Sequence, residues 1–381
     1  MKRETYKLKQ LCSEIVDCVN KTAHTSDAPT PYKMLRTSDI REGKINLENL
    51  NCVTKEVYEK WTRRGKLQKG DVIFTREAPL GEVGLVREEK NYFLGQRLVL
   101  FRANDKICDG RFLMYSLLWH DNKQAIISKG VGSTVAHLRV PECENIEIKA
   151  PDLDIQHRIA DILSAYDDLI ENNQKQIKLL EEAAQRLYKE WFVDLRFPGH
   201  ENTKIVDGVP EGWSRTNING ILTFHRGYDL TKNEMKAGRY PVIGSTSIIG
   251  YHNEFKIKGP GIVTGRSGSL GKYQLVWDDF WPHNTSLYIS DYKDHNIFFV
   301  YSLLQTVDFA SLNNGGAIPT LNRNVLSNIE VIEPEKKLQD VFAKIAEPQY
   351  QKIRNLEKQN DRLKTARDLL LPKLMSGEVE V

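Results

Sequence analysis

Two kinds of hydrophobic pattern alternate along the chain. Short runs of β-branched and aromatic residues, bounded by glycine, proline and asparagine, fill two long segments, with clear examples at residues 72–74 and 261–265. Such runs predict strands and turns. Each strand-rich segment is followed by roughly forty residues whose apolar positions recur every three or four residues, which predicts a long helix.

The first helical stretch begins near Asp152 and meets no glycine or proline before Pro198. The second begins near Glu335, runs to about Met375 and is interrupted only by two prolines. A helix of forty residues would be roughly 60 Å long at 1.5 Å per residue. That length suits a spacer better than a helix in the core of one domain.

Both helices carry the three- and four-residue spacing of a coiled-coil seam. Residues 152–190 contain five basic and nine acidic side chains, and residues 335–377 contain ten basic and six acidic ones. Opposite net charges favour pairing of the two helices with each other. The residues expected to pair them are Leu163, Ile170, Asn173, Ile177, Leu180 and Trp191 on the first helix and Phe342, Ile353, Leu356, Asn360, Leu363 and Leu370 on the second.

An antiparallel register can be predicted for this pair. One register faces Trp191 with Phe342 and brings the polar seam residues Asn173 and Asn360 together. A buried asparagine pair fixes register at some cost in stability. The alternative is that each helix packs only on its own domain.

The chain also repeats itself. The sequence NIEIKAP at residues 145–151 recurs as NIEVIEP at residues 328–334, which lies 183 positions later. Upstream, Arg76 and Arg266 each follow a predicted strand within matching sequence. Matches spread over so many spaced positions indicate a duplication.

The fold class expected from these patterns is α+β. Two pseudo-symmetric strand-rich domains would be separated by two long antiparallel coiled-coil helices. The expected boundaries are 1–151 for the first strand-rich domain, 152–198 for the first helix, 199–334 for the second strand-rich domain and 335–381 for the second helix.

Composition narrows the class of protein only slightly. The 381 residues carry a net charge of +3 and are 40% hydrophobic, which permits a nucleic-acid partner without requiring one. Five cysteines without a C-x-x-C pair make a disulfide framework or zinc site unexpected and favour a reducing, cytoplasmic location. No apolar leader and no long apolar run occur, so neither export nor a membrane partner is expected.

Catalytic motifs are missing from the sequence. It contains no G-x-x-x-x-G-K-[ST] loop for ATP phosphates, no H-E-x-x-H zinc motif and no G-x-S-x-G nucleophile turn. The N/D-P-P-Y/F/W tetrapeptide that adenine methyltransferases need beside the target base is also absent. We therefore expect no catalytic residue and no metal site.

Three segments resemble a known family. They are LYKEWFVDLRFPG at residues 187–199, VPEGW at residues 209–213 and LLLPKLMSGEV at residues 369–379. With the order of parts, they are similar to the specificity subunit of type I restriction-modification systems. The resemblance covers essentially the whole chain.

The resemblance implies a function. Each strand-rich copy would be a target-recognition domain that reads one half of a split, asymmetric sequence in double-stranded DNA. The helices would set the spacing and dock two methyltransferase (modification) subunits, with restriction/translocase subunits as further partners. S-adenosylmethionine, ATP and Mg would be held by those partners, and this chain would hold no cofactor and catalyse nothing.

The chemistry of loop residues indicates which of them could contact DNA, since arginine suits guanine, asparagine or glutamine suits adenine, and basic or hydroxyl groups suit phosphates. We expect Arg76 and Arg266 to share one role in phosphate anchoring or scaffold support, and we compare Gln96 and Arg97 with His283 and Asn284 as base readers. The full set is Arg36, Ser38, Arg76, Glu77, Gln96, Arg97, Lys129, Ser133 and Thr134 in the first copy and Arg226, Tyr228, Ser245, Ser247, Arg266, Ser267, His283, Asn284, Asn313 and Asn314 in the second. The alternatives are a stand-alone DNA methylase or nuclease with a divergent active site, and a structural coiled-coil adaptor.

Overall fold

The computed structural model divides the chain into two compact units. The first unit combines residues 1–172 with residues 359–381, and the second unit comprises residues 173–358. Each unit therefore contains one strand-rich segment and a part of both long helices. The residues that the structure describes are 2–132, 136–266, 271–307 and 329–381.

The strands and helices follow the predicted segments. The first strand-rich segment contains β1 (Glu4–Lys7), β2 (Cys12–Asp17), β3 (Lys33–Leu35), β4 (Ile40–Arg41), β5 (Lys44–Ile45), β6 (Asn51–Cys52), β7 (Val72–Thr75), β8 (Val83–Leu85), β9 (Tyr92–Leu94), β10 (Leu98–Ala103) and β11 (Glu147–Ala150). The second contains β12 (Ile205–Val206), β13 (Val209–Pro210), β14 (Ser214–Asn217), β15 (Thr223–Arg226), β16 (Tyr240–Ile243), β17 (Ile248–His252), β18 (Gly261–Gly265), β19 (Tyr273–Val276), β20 (Trp281–Pro282), β21 (Ser286–Asp291) and β22 (Glu330–Glu333). The α-helices are α1 (Leu8–Leu11), α2 (Lys55–Trp61), α3 (Gly110–Leu118), α4 (His120–Ser128), α5 (Val140–Glu144), α6 (Leu153–Tyr188), α7 (Ile218–Ile221), α8 (Ile297–Thr306) and α9 (Lys336–Ser376), with 3₁₀ turns at Thr37–Asp39 and His200–Asn202 and a π turn at Lys189–Val193.

The two units share one sheet topology. The first has an antiparallel sheet of order β2-β10-β7-β8, and the second has the same arrangement as β15-β21-β18-β19. A three-stranded sheet β6-β3-β9, in which β3 and β9 run parallel, is repeated as β17-β16-β20 with β16 and β20 parallel. The ladder of β1 with β11 recurs as β14 with β22. The α+β class and the predicted duplication are confirmed.

Both long helices are as continuous as their apolar spacing predicts. α6 contains 36 residues and passes directly into the π turn Lys189–Val193. α9 contains 41 residues and continues through Pro348 and Pro372. A proline removes one backbone donor from a helix and crowds the carbonyl four residues earlier, and tertiary packing of the apolar face can offset both costs.

Segments of the two helices pack together within the second unit. The rings of Trp191 and Phe342 lie with their centroids 6.1 Å apart in an edge-on arrangement, so this predicted pair is in contact. Ile177 and Leu180 pack against the core cluster that contains Ile353. These contacts run antiparallel, because higher numbers on α6 meet lower numbers on α9.

The first unit holds a polar contact between the same helices. The Arg367 guanidinium on α9 lies 2.5 Å from the carboxylate of Asp167 on α6, and Tyr115 on α3 donates a 2.6 Å hydrogen bond to the same carboxylate. All three side chains are buried. Asn173 and Asn360 fall in different units, and their pairing stays a prediction.

A buried glutamine near the start of each long helix joins it to the sheet domain. Gln156 donates a 2.9 Å hydrogen bond to the carbonyl of Pro151, and Gln339 donates one of the same length to Pro334. The Gln156 side-chain oxygen also accepts from the backbone N–H of Asp109, just before α3. Both glutamines are 1% exposed, so these bonds satisfy polar groups that water cannot reach.

The core of the first unit uses residues from both ends of the chain. Phe101 of β10 and Phe112 of α3 are fully buried in one cluster with Leu374 and Met375 of α9. Arg3 adds a 2.6 Å hydrogen bond from its guanidinium to the Leu374 carbonyl. Within the described ranges, no helix has the length and apolar character needed to cross a membrane.

Candidate nucleic-acid interface

The candidate loops stand at the ends of the central strands and are held by the same backbone frame in both units. In the first unit the Arg76 N–H donates a 2.8 Å hydrogen bond to the Arg97 carbonyl. In the second unit the Arg266 N–H donates one of 3.1 Å to the Thr285 carbonyl. The loop after β7 is therefore tied to the loop before β10 just as the loop after β18 is tied to the loop before β21.

Strand register identifies equivalent positions residue by residue. Leu98 lies opposite Thr75 in the first unit, and Ser286 lies opposite Gly265 in the second. Since Leu98 and Ser286 are equivalent, the two residues before each of them are equivalent as well. Gln96 therefore corresponds to Asn284, and Arg97 corresponds to Thr285. The comparison of Gln96 and Arg97 with His283 and Asn284 was wrong by one residue.

Arg76 is part of the scaffold of the first unit. Its guanidinium lies 2.9 Å from the Asp17 carboxylate on β2 and donates a 3.3 Å hydrogen bond to the Leu138 carbonyl. The side chain is only 17% exposed. These contacts use the charge of Arg76 internally and leave it poorly placed for a phosphate.

The second unit differs at the same two positions. Asp17 lies opposite Val99, and the residue that lies opposite the equivalent Leu287 is Arg226. The acid that neutralises Arg76 is thus replaced by a second arginine, and both Arg226 and Arg266 are exposed. Arg226 lies 3.5 Å from the exposed carboxylate of Asp229, a weak pairing. The two equivalent arginines therefore have different surroundings, because strand β2 ends in an acid and strand β15 ends in a base, and their common role stays a prediction.

Gln96 and Arg97 lie at an exposed turn of the first unit. Arg97 has a φ of +68°, a left-handed conformation that is uncommon outside glycine. Its Nε lies 3.4 Å from the Glu77 carboxylate, so the two loops also meet through side chains. Glu77, Gln96 and Arg97 form one continuous polar surface beside the strand ends.

Arg36 and Ser38 lie on a neighbouring loop, and Arg36 is held by a local acid. Its Nη2 and Nε lie 2.9 and 3.1 Å from the two oxygens of Asp39, and this hydrogen bonding raises the pKa of Arg36. Ser38 is exposed. Thr37, between them, donates a 3.0 Å hydrogen bond to the Ala78 carbonyl, which places this loop next to the loop after β7.

His283 is used internally. Its Nδ1 lies 2.9 Å from the Thr285 hydroxyl, and its Nε2 lies 3.2 Å from the Leu230 carbonyl. Both ring nitrogens therefore have protein partners, which argues against base reading by His283. Asn284, the next residue, donates a hydrogen bond from its amide to the Asp229 carboxylate.

The Tyr228 side chain also packs against other residues of the second unit. Its hydroxyl lies 2.9 Å from that of Tyr288, and its ring packs edge-on against Trp281 at 6.3 Å. Burial and this hydrogen bond raise the pKa of Tyr288. The exposed ammonium of Lys256 lies over the Trp281 ring at 4.6 Å and keeps a positive charge beside the aromatic group.

The turn of the hairpin formed by β16 and β17 lies beside the loop before β21. Ser245 donates a 2.8 Å hydrogen bond to the Thr285 carbonyl, and Ser247 is exposed. The next two side chains, Ile248 and Ile249, are 49% and 46% exposed. This adjacent apolar pair was missed in the sequence, where it reads as the start of an ordinary strand.

One candidate residue, Lys129, lines a different part of the surface. Lys129 is exposed at the end of α4 and lines a separate small cleft with Trp119 and Glu147. Among the described residues no group of histidine, cysteine or carboxylate side chains could hold a metal ion. The candidates that lie outside the described residues are Ser133, Thr134, Ser267, Asn313 and Asn314.

Comparison with known families decides the class of protein. Residues 4–182 and 210–365 match the family described as type I restriction modification DNA specificity domain. The chain belongs to this family. The role of a type I specificity chain is DNA recognition within restriction-modification, which agrees with the exposed arginine, amide and hydroxyl side chains on its repeated loops.

Individual relatives agree along most of the chain. The type I restriction enzyme MjaIX specificity subunit of Methanocaldococcus jannaschii is 27% identical over 341 residues, covering 82% of this chain and 78% of the relative. The HindI specificity subunit of Haemophilus influenzae is 23% identical over 436 residues, covering 91% and 94%. The crystal structure of a type I S subunit from M. genitalium superposes with a TM-score of 0.64 at 20% identity, covering 98% and 96%, and supports the fold of this specificity chain.

Proposed function

We propose that this chain reads a bipartite, asymmetric target in double-stranded DNA, one half with the loops of each unit. The observation that carries the proposal is that one backbone frame presents different side chains in the two units. Asp17 neutralises Arg76 in the first unit, whereas Arg226 accompanies Arg266 in the second. Equal frames with unequal side chains are suited to reading two different half-sites.

The same proposal assigns the chemistry to partners. The chain docks two adenine methyltransferase subunits and restriction/translocase subunits, and these hold S-adenosylmethionine, ATP and Mg. The chain itself transfers no methyl group and cleaves no DNA. Because a net charge of +3 neutralises few phosphates, we expect weak DNA binding by the isolated chain and tight binding only in the assembled complex.

The test is to assemble the chain with its modification subunits and to map the methylated adenines by single-molecule sequencing of a random DNA library. The expected result is one motif made of two unlike halves with a fixed gap. A control incubates the isolated chain with labelled S-adenosylmethionine and the same DNA. Methyl transfer by the isolated chain, or a single uninterrupted motif from the complex, would contradict the proposal.

A further inference from the structure

The two units place a carboxamide side chain at the same point of their loops. Gln96 stands two residues before Leu98, and Asn284 stands two residues before the equivalent Ser286. The neighbouring residues of the two loops differ, since Arg97 corresponds to Thr285. Agreement in amide chemistry at one position, among neighbours that differ, points to a function common to both half-sites.

We propose that Gln96 and Asn284 each read the adenine of an A·T pair at the same position within the two half-sites, an assignment that rests on the proposed function. In the major groove, adenine offers the N7 acceptor beside the N6 amino donor. A carboxamide presents a donor and an acceptor with the matching spacing, so it can bond both at once. Serine or threonine at this place would not discriminate in this way.

The protein holds the second amide ready for this contact. One N–H of Asn284 donates to the carboxylate of Asp229, which fixes the orientation of the amide group. Its other N–H and its carbonyl oxygen are the pair that adenine requires. Asp229 is thus a positioning residue, and it lies on the loop that also carries Arg226.

The first amide lies on a turn that is fixed at the next residue, Arg97. Arg97 has a left-handed backbone, and its Nε lies 3.4 Å from the Glu77 carboxylate. Gln96 is exposed at the head of this turn. The longer side chain of glutamine extends the same chemistry by one methylene group, so the two loops can approach DNA at slightly different depths.

The experiment measures methylation of DNA duplexes by the assembled complex. Each duplex carries the mapped motif with one base pair changed at a time. The wild-type chain should prefer A·T over G·C at one pair in each half by about 10-fold or more. Gln96→Ala should abolish that preference at one pair of one half, and Asn284→Ala should abolish it at one pair of the other half. The two affected pairs should lie equally far from the methylated adenine of their own half-sites.

Controls separate the outcomes. Glu88→Ala and Glu254→Ala change exposed acids away from these loops and should leave every preference unchanged. Gln96→Glu keeps the shape but removes the donor, so it tests the contact if the alanine variant fails to fold, and Asp229→Ala should weaken the preference at the Asn284 pair only. A complex with the wild-type chain that methylates no bipartite motif would refute the proposed function. A normal motif whose base preferences survive both alanine variants, or affected pairs at unequal distances, would refute this inference alone.

Discussion

Trp277 lies against the guanidinium of Arg354, with the central carbon 5.3 Å from the ring centroid. The equivalent residues of the first unit are Arg87 and Glu171, which form an ion pair of 3.3 Å. Arg354 also lies 2.5 Å from the carboxylate of Asp278, so the sheet–helix contact is ionic in both units and gains a cation–π interaction in the second. The duplicated fold has kept an ionic contact at this place and has added an aromatic partner in the second unit.

These two contacts should respond differently to salt. Glu171→Gln should lower the free energy of unfolding by less than about 1 kcal/mol at low ionic strength, because the paired side chains are about one-third exposed. That loss should disappear near 1 M NaCl, where the screening length falls to about 3 Å. Arg354→Gln removes an ion pair with Asp278 together with the ring contact, so the ionic part of its cost should disappear at the same salt and the part from the short-ranged ring contact should remain. Urea unfolding at two salt concentrations gives both numbers, and an equal salt dependence would contradict the assignment.

The hydrogen bonds of the two buried glutamines should contribute measurably to the free energy of unfolding. Gln156→Leu leaves the Pro151 carbonyl and the Asp109 N–H without their partner, and we expect a loss of about 2–3 kcal/mol in the free energy of unfolding. Gln339→Leu should give a similar loss through Pro334. The matched control is an exposed helical glutamine, Gln351→Leu, which should change stability by less than about 0.5 kcal/mol. Equal effects of the buried and exposed changes would show that these bonds are dispensable.

Alanine variants of the equivalent residues Arg76 and Arg266 should have different effects, one on stability and the other on DNA binding. Arg76→Ala leaves the part-buried Asp17 carboxylate with only the longer contact to Arg64 at 3.9 Å, so the melting temperature should fall. Arg266→Ala should leave the melting temperature unchanged. It should reduce the slope of log K against log salt concentration, for DNA binding by the complex, by about the 1 unit expected for one lost phosphate contact. Arg226→Ala should act like Arg266→Ala. Calorimetry and binding across a salt series check these outcomes, and a loss of DNA binding without loss of stability in Arg76→Ala would count against the scaffold role.

Cysteine reactivity should follow the pKa values of the thiols. The Lys33 ammonium lies 2.9 Å from the Cys52 sulfur and lowers the pKa of that thiol, so thiolate forms at lower pH than usual. Burial raises the pKa of Cys12 and of Cys143 to about 12, which keeps both protonated at neutral pH. Because the thiolate is the reactive form, Cys52 should be alkylated before these two, and its rate should rise with pH at a lower midpoint. Mass spectrometry after timed iodoacetamide treatment measures the order, and Lys33→Met should slow Cys52 without affecting Cys143.

The elements with strong periodicity were predictable from sequence. The three- and four-residue spacing gave both long helices to within a few residues, and it gave the contact of Trp191 with Phe342. Strands such as β7 and β18 were also predicted, because β-branched runs between glycines have few other ways to fold. These features depend on neighbours along the chain, which a single sequence displays directly.

The roles of the loop residues were less predictable, because they depend on partners from distant strands. Nothing near Arg76 in sequence indicates that Asp17, on a strand two places away in the sheet, neutralises it. The equivalence of Gln96 with Asn284 likewise requires strand register, since loops of unequal length shift a comparison made by eye. The protein partners of His283 became visible only when the loops were placed in three dimensions.

The last helical turns of the chain complete the hydrophobic core of its opening domain, through Leu374 and Met375. When the first 172 residues have left the ribosome, the first unit therefore still lacks some of the apolar residues that complete its core. Apolar surface of the first unit therefore stays uncovered until Leu374 and Met375 have been translated. A stop codon just before Leu374 should thus damage the first unit and spare the second, the reverse of what the order of the gene suggests.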